Sequence, residues 1–256
     1  MIPFLLALAA AQAAPAQSVP VVSTPQACAA LARSAPEQAV QAAGAWRLQG
    51  GGLSALHCQG LAYSASEKWA PAAGAFEQAA AEAETGKDAR RPEFLVQAGN
   101  AWLAAGDAGK AKAAFDSALV AGIGSPELRG EVHLDRARAA VALGSLAPAR
   151  TDIDLALKLV PGDPFAWVLS SALALKEEKI ARARADIAQA TQLAPDDPDV
   201  LLQAGNVAGV GGDVEEARTL FAKAAKAAPD TPAGRAAAAA LAANAGEPEP
   251  AATPPS

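Results

Sequence analysis

Residues 149–164 read ARTDIDLALKLVPGDP, and residues 183–198 read ARADIAQATQLAPDDP. In each, an alanine, a large apolar residue four positions on and a second alanine three further on share one face of a helix. The proline five residues after the second alanine cannot continue that helix. The Asp-Pro pair that follows, Asp163-Pro164 or Asp197-Pro198, reads as an N-cap with proline in the first helical position. Outward from this stretch the triplet recurs as Ala72-Phe76-Ala79, Ala111-Phe115-Ala118, Ala149-Ile153-Ala156, Ala183-Ile187-Ala190 and Ala217-Phe221-Ala224, at intervals of 39, 38, 34 and 34 residues. Pro161, Pro195 and Pro229 keep the same interval of 34, and Thr231-Pro232 repeats the capping signal. A fixed interval of this size marks a unit that is repeated along the chain rather than folded once into a closed core.

Each unit carries an earlier helix with a small residue, Gly60, Gly99, Ala137, Ser171 or Gly205, always 12 residues before the first alanine of its triplet. A glycine inside a helix costs about 1 kcal/mol relative to alanine. Its return at equivalent sites therefore means that a neighbouring helix needs the room. Tyr63, Trp102, Trp167, Phe76, Phe115 and Phe221 fill the remaining space. Gly106-Asp107, Gly144-Ser145 and Gly212-Asp213 mark the break between the two helices. A generic alanine-rich bundle would explain the helices but not the phase of these glycines and prolines.

This order of small, aromatic and proline positions resembles the tetratricopeptide repeat family, whose unit is a 34-residue helix-turn-helix. The resemblance implies an all-α fold, a right-handed α-solenoid of antiparallel helix pairs closed by N- and C-terminal capping helices. It places repeats at 53–91, 92–129, 130–163, 164–197 and 198–231, with a capping helix at 232–245. The extra residues of the first two fall around Glu84-Thr85-Gly86-Lys87-Asp88 and Gly122-Ile123-Gly124-Ser125. The fourth departs from the pattern, with Glu177-Glu178-Lys179 at its internal turn. Upstream, 17–52 reads as a linker and a degenerate helix pair, with helices opened by Thr24-Pro25 and Pro36; the proline-rich 246–256 reads as a disordered tail.

In this family the first helices of successive units line a concave groove that holds a peptide or a helix of a partner. Carried over by motif, the groove here consists of His57, Leu61, Val96, Asn100, Leu103, Leu134, Arg138, Val141, Val168, Leu175, Leu202 and Asn206. It is mainly aliphatic, with asparagines suited to a peptide backbone and an arginine suited to a carboxylate. Val96 and Leu202 stand where chaperone-type members carry the lysines that grip a terminal carboxylate, which argues against that mode. Several of these aliphatics are equally placed to pack against the adjacent helix.

The 256 residues carry a net charge of −6, and cationic residues come only in short sets such as Lys87 with Arg90 and Arg91, or Arg182 with Arg184. These read as solvated faces, and nucleic acid is excluded as a partner for want of a basic surface. Nothing matches a nucleophile elbow, a phosphate loop or a metal motif, so we expect no enzyme activity, no cofactor and no metal, and a protein or peptide as the partner. The 52 residues before the first repeat are too few to bury a hydrolase site. Residues 1–16, with an apolar run Ile2 to Ala11 followed by A-x-A patterns, resemble a secretory signal peptide without a basic n-region. The run is too short to span a bilayer. The reading is export to the periplasm or beyond, with a cytosolic start or an uncleaved anchor as the alternative. Cys28 and Cys58 are the two cysteines; in an oxidising compartment they would form one disulfide, and otherwise two separate thiols in small buried slots.

Overall fold

The computed structural model describes residues 20–243; the segment read as a signal peptide and the proline-rich tail lie outside the described residues. Every element among the described residues is a helix or a turn. The chain divides into two compact units, Met1–Lys68 and Trp69–Ser256. The division falls inside 53–91, the stretch read as the first repeat.

The first unit holds α1 (Pro25–Ser34), α2 (Pro36–Leu48) and α3 (Gly52–Ala65), each in contact with the other two. Thr24 caps α1, its hydroxyl accepting from the Ala27 N–H. Val22, Ala42 and Ala43 pack with Cys28 and Cys58, and Trp46 and Leu31 close over them. The two cysteines, 0% and 1% exposed, are joined as a disulfide that ties α1 to α3, their Cα atoms 5.7 Å apart. Closing a loop over a separation of 30 residues contributes roughly 3–4 kcal/mol through the chain entropy it removes from the unfolded state. Lys68 pairs with Glu37 across the unit's surface at 2.8 Å.

The second unit opens with α4 (Trp69–Gly86) and continues with α5 (Arg91–Ala104), α6 (Ala108–Ala121), α7 (Pro126–Ala142), α8 (Leu146–Leu159), α9 (Pro164–Lys176), α10 (Ile180–Leu193), α11 (Pro198–Val210), α12 (Val214–Ala227) and α13 (Pro232–Ala243). Helices α5–α6, α7–α8, α9–α10 and α11–α12 pack as hairpins; α4 lies against α5, and α13 against α11 and α12. The Asp163 and Asp197 side chains cap α9 and α11 by accepting from the N–H groups of Phe165 and of Asp199 and Val200. Along the row, α5 touches α7, α7 touches α9, α9 touches α11 and α11 touches α13, while the even-numbered helices make no comparable contacts among themselves. The odd-numbered set is thus the closer-spaced one and lines the concave side of this unit.

Each hairpin is closed by a complementary pair of residues 16 apart. The Phe115 ring lies against Gly99 so tightly that a Cβ on the glycine would sit 2.5 Å from it, and Phe221 meets Gly205 in the same way. Where the small residue is Ala137 or Ser171, the large one is Ile153 or Ile187. A phenyl ring needs a glycine opposite it, whereas an isoleucine leaves space for a methyl or a hydroxymethyl group.

The hairpin turns show why the α9–α10 sequence differs. Gly106, Gly144 and Gly212 adopt φ of 81°, 73° and 91°, the left-handed region that glycine enters without strain, and Glu178 takes the same place at 59°. A non-glycine residue there costs about 1–2 kcal/mol. Its neighbour Glu177 supplies the offset, reaching the Arg150 guanidinium at 3.2 Å with only 11% of its side chain exposed.

Candidate functional site

The concave face of the second unit is built from α5, α7, α9 and α11, and the twelve sequence-derived candidates separate on it. Asn100 is exposed, Leu103 and Val141 are half-buried, and the Arg138 side chain is 49% exposed. Val168 and Leu175 are half-buried where they flank the core formed by Ile187, Val200 and Val207, and Leu202 flanks the next cluster along, around Phe221. Asn206, also half-buried, donates to Gln203 at 3.3 Å. His57 and Leu61 belong to α3 in the first unit, where with both cysteines they line a separate hollow of about 240 Å³.

Two candidates are not available to a ligand. Val96 is 9% exposed and Leu134 3%, and Leu134 joins Ala137, Ile153 and Leu173 in the core. The Val96 and Leu134 side chains lean into the seam between hairpins, where burial of a valine or leucine is worth about 1.5–3 kcal/mol; Val168 and Leu202, at the same repeat position, are only half-buried and keep part of their surface exposed.

The polar stations are organised across helices. Asn100 on α5 stands near enough to the Asp135 carboxylate on α7 to favour its charged form, and on α7 itself the Arg138 guanidinium donates to that carboxylate at 2.9 Å. Burial pushes the Asp135 carboxyl up, and Arg138 and Asn100 oppose that shift only in part. On α11, the Gln203 amide donates to the Ser171 hydroxyl at 3.2 Å, and that hydroxyl donates to the Ala183 carbonyl. Asn206 is therefore held from below.

Two charged networks between hairpins have no counterpart in the sequence reading. In the first, Arg136 bridges Asp116 and Asp152, and His133 donates from Nδ1 to Asp152 at 2.9 Å. In the second, Arg150 is 9% exposed and donates to the Ser170 hydroxyl and carbonyl at 2.8 and 3.0 Å. The same hydroxyl donates to Asp186 at 2.6 Å, and Arg182 links Asp186 to Asp154. The cationic sets read as solvated faces are likewise paired: Arg90 with Asp88, Arg91 with Glu84, Arg184 with Asp213.

Burial alone would raise the Asp152 carboxyl, but hydrogen bonds from His133 and Arg136 hold it below the usual range. A carboxyl lowered in the folded state adds stability that is complete above its unfolded pKa, about 3.9, and is lost as pH falls through the folded value. Asp135, raised by burial, has the opposite sign. Urea titrations from pH 7 down to pH 3 should therefore show a loss of stability below about pH 4 that is shallower in Asp152→Asn. Parallel curves for the two proteins would contradict this.

Among the described residues no cluster of His, Cys, Asp and Glu could hold a metal ion, and no helix is long and apolar enough to cross a membrane. No family model and no curated protein matches the chain. Its architecture does match solved structures. A tetratricopeptide-repeat protein of Thermus thermophilus, TTC0263, is similar over 75% of this chain and 98% of its own, with a TM-score of 0.60 at 19% identity. YrrB, described as a TPR protein with an unusual peptide-binding site, is similar over 73% and 90% at a TM-score of 0.52 and 20% identity. The chain has the tetratricopeptide-repeat fold. PilW, a type IV pilus biogenesis factor, is also similar, over 82% of this repeat chain and 96% of its own, with a TM-score of 0.65 at 15% identity. Likeness at this level of identity concerns the repeat architecture, and the groove side chains are this chain's own.

Proposed function

We propose that this repeat protein is a non-catalytic interaction scaffold that holds an extended segment of a partner protein on the concave face of its second unit. The observation that carries the reading is the face itself. Half-buried aliphatics, among them Leu103, Val141, Leu175 and Leu202, alternate there with Asn100, Arg138 and Asn206 along four packed helices. Such a surface offers apolar contact and backbone hydrogen bonding together. The peptide-binding site described for YrrB supports it. Export to an oxidising compartment is part of the proposal, supported by the apolar N-terminal run and by the Cys28–Cys58 bond.

Leu103→Glu and Leu202→Glu, on the concave face, should each weaken recovery of the partner from envelope extract more than tenfold. Leu155→Glu, on α8, should leave it unchanged, and helicity should be the same in all three. Full recovery by both concave variants would remove the groove from the account. A second reading, an accessory of a cell-envelope assembly machine acting on peptidoglycan or the outer membrane, is favoured by the likeness to PilW. Loss of the gene should then produce a surface-assembly defect, and normal envelope assembly in its absence would exclude it.

A further inference from the structure

The outermost concave position of the odd-numbered helices is occupied in turn by Asn100, Arg138, Ala172 and Asn206, at intervals of 38, 34 and 34 residues. Three of the four are polar, and one is a methyl group. Beside that alanine a hollow of about 210 Å³ opens between α7 and α9. Its floor is Ala137, Ile153, Leu169 and Leu173, and Val141 closes one side. An apolar cavity of about 150 Å³ holds a benzene molecule, so the space takes a phenyl or isobutyl group.

The rim has a definite charge. Arg138 and Lys176 stand at the edge, and no carboxylate lines the hollow, in a chain whose net charge is −6. Only one Arg138 N–H is engaged, by Asp135, which leaves most of the five guanidinium donors for a ligand. Lys176 is exposed and makes no ion pair among the described residues. Two cations beside a dry apolar floor complement a segment in which an acidic residue neighbours a large apolar one. The acidic tail of this chain, with Glu247 and Glu249, has only alanine and proline as apolar residues from 246 to 256 and cannot fill the space.

We infer that the α7–α9 hollow seats a phenylalanine- or leucine-sized side chain of an internal partner segment, with a neighbouring aspartate or glutamate of that segment held by Arg138 and Lys176. The inference rests on the concave-face reading and names the chemistry of its partner.

The probes are three short peptides blocked at both ends, so that no terminal charge contributes: phenylalanine flanked by glutamates, phenylalanine flanked by lysines, and alanine flanked by glutamates. With the full chain at low salt, the first should bind at least tenfold more tightly than the others in fluorescence polarisation. Ala172→Trp, which fills the hollow from a partly exposed position, should lose that binding, while Arg138→Gln with Lys176→Glu should reverse the preference toward the lysine-flanked peptide. Equal affinity for all three peptides, no binding, or unchanged binding by Ala172→Trp would overturn the inference. So would self-association that Ala172→Trp abolishes while no peptide binds, which would assign the hollow to a second copy. If Ala172→Trp still captures the envelope partner but Leu103→Glu does not, the hollow is refuted and the broader groove stands; if Leu103→Glu captures it while the peptides bind as expected, the reverse holds.

Discussion

Phe115→Ala should destabilise the second unit by about 3–5 kcal/mol, the range for removing a fully buried phenylalanine. The side chain is 0% exposed and its ring fills the notch left by Gly99. The more discriminating experiment changes both partners. Gly99→Ala alone brings a methyl group to 2.5 Å from the ring, and overpacking of this kind costs about 1–3 kcal/mol. Phe115→Ile alone leaves a gap. Together they recreate the Ala137–Ile153 pairing two helices further along, so the double variant should be more stable than the sum of the single changes by at least about 1 kcal/mol. Because repeat arrays lose stability unit by unit, hydrogen exchange resolved over α5 and α6 is the appropriate readout. Additive effects would mean that the glycine is not there to admit the ring.

Arg150→Ala should be comparably severe, about 3–5 kcal/mol, as is usual when one member of a buried charged network is removed. Arg150 and Arg182 stand among three carboxylates, Asp154, Glu177 and Asp186. Without Arg150, the buried Ser170 hydroxyl and carbonyl each lose a charged donor and Glu177 loses its main cation. Converting the group together, Arg150→Met with Ser170→Ala, Glu177→Leu and Asp186→Leu, should recover most of the loss, because an apolar replacement of the whole network removes the need for pairing. Calorimetry of the two variants against the parent checks this. A single variant as stable as the parent would show that the network contributes nothing net.

The fold was legible because its signals are local and repeated. A proline at Pro161, Pro195 and Pro229, an Asp-Pro cap and a small residue 16 positions before a large one each act within a single hairpin, so the chain displays them at a constant interval. The site was legible in part. Asn100, Arg138 and Asn206 share one phase in the sequence and accordingly fall at equivalent places on α5, α7 and α11, exposed or half-buried. Val96 and Leu134 were not distinguished from groove residues, since their position borders both the groove and the seam, and an aliphatic side chain takes whichever buries it. The charged networks were hidden for another reason. Arg136 and Asp152, or Ser170 and Asp186, meet across helices at separations that any solvated helix face also presents. Ala172 was overlooked because a cavity is signalled by the side chain that is missing, which shows only when the four equivalent positions are set side by side.

The central claim is that the odd-numbered helices, and not the outer ones, receive the partner. A photo-crosslinking amino acid introduced one site at a time in the source cells tests it most directly, at Asn100, Leu175 and Asn206 on the concave face and at Leu155 and Leu193 on α8 and α10. The account predicts one and the same protein crosslinked from all three concave sites and from neither outer site. Equal yields from the outer sites, or none from the concave ones, would contradict it.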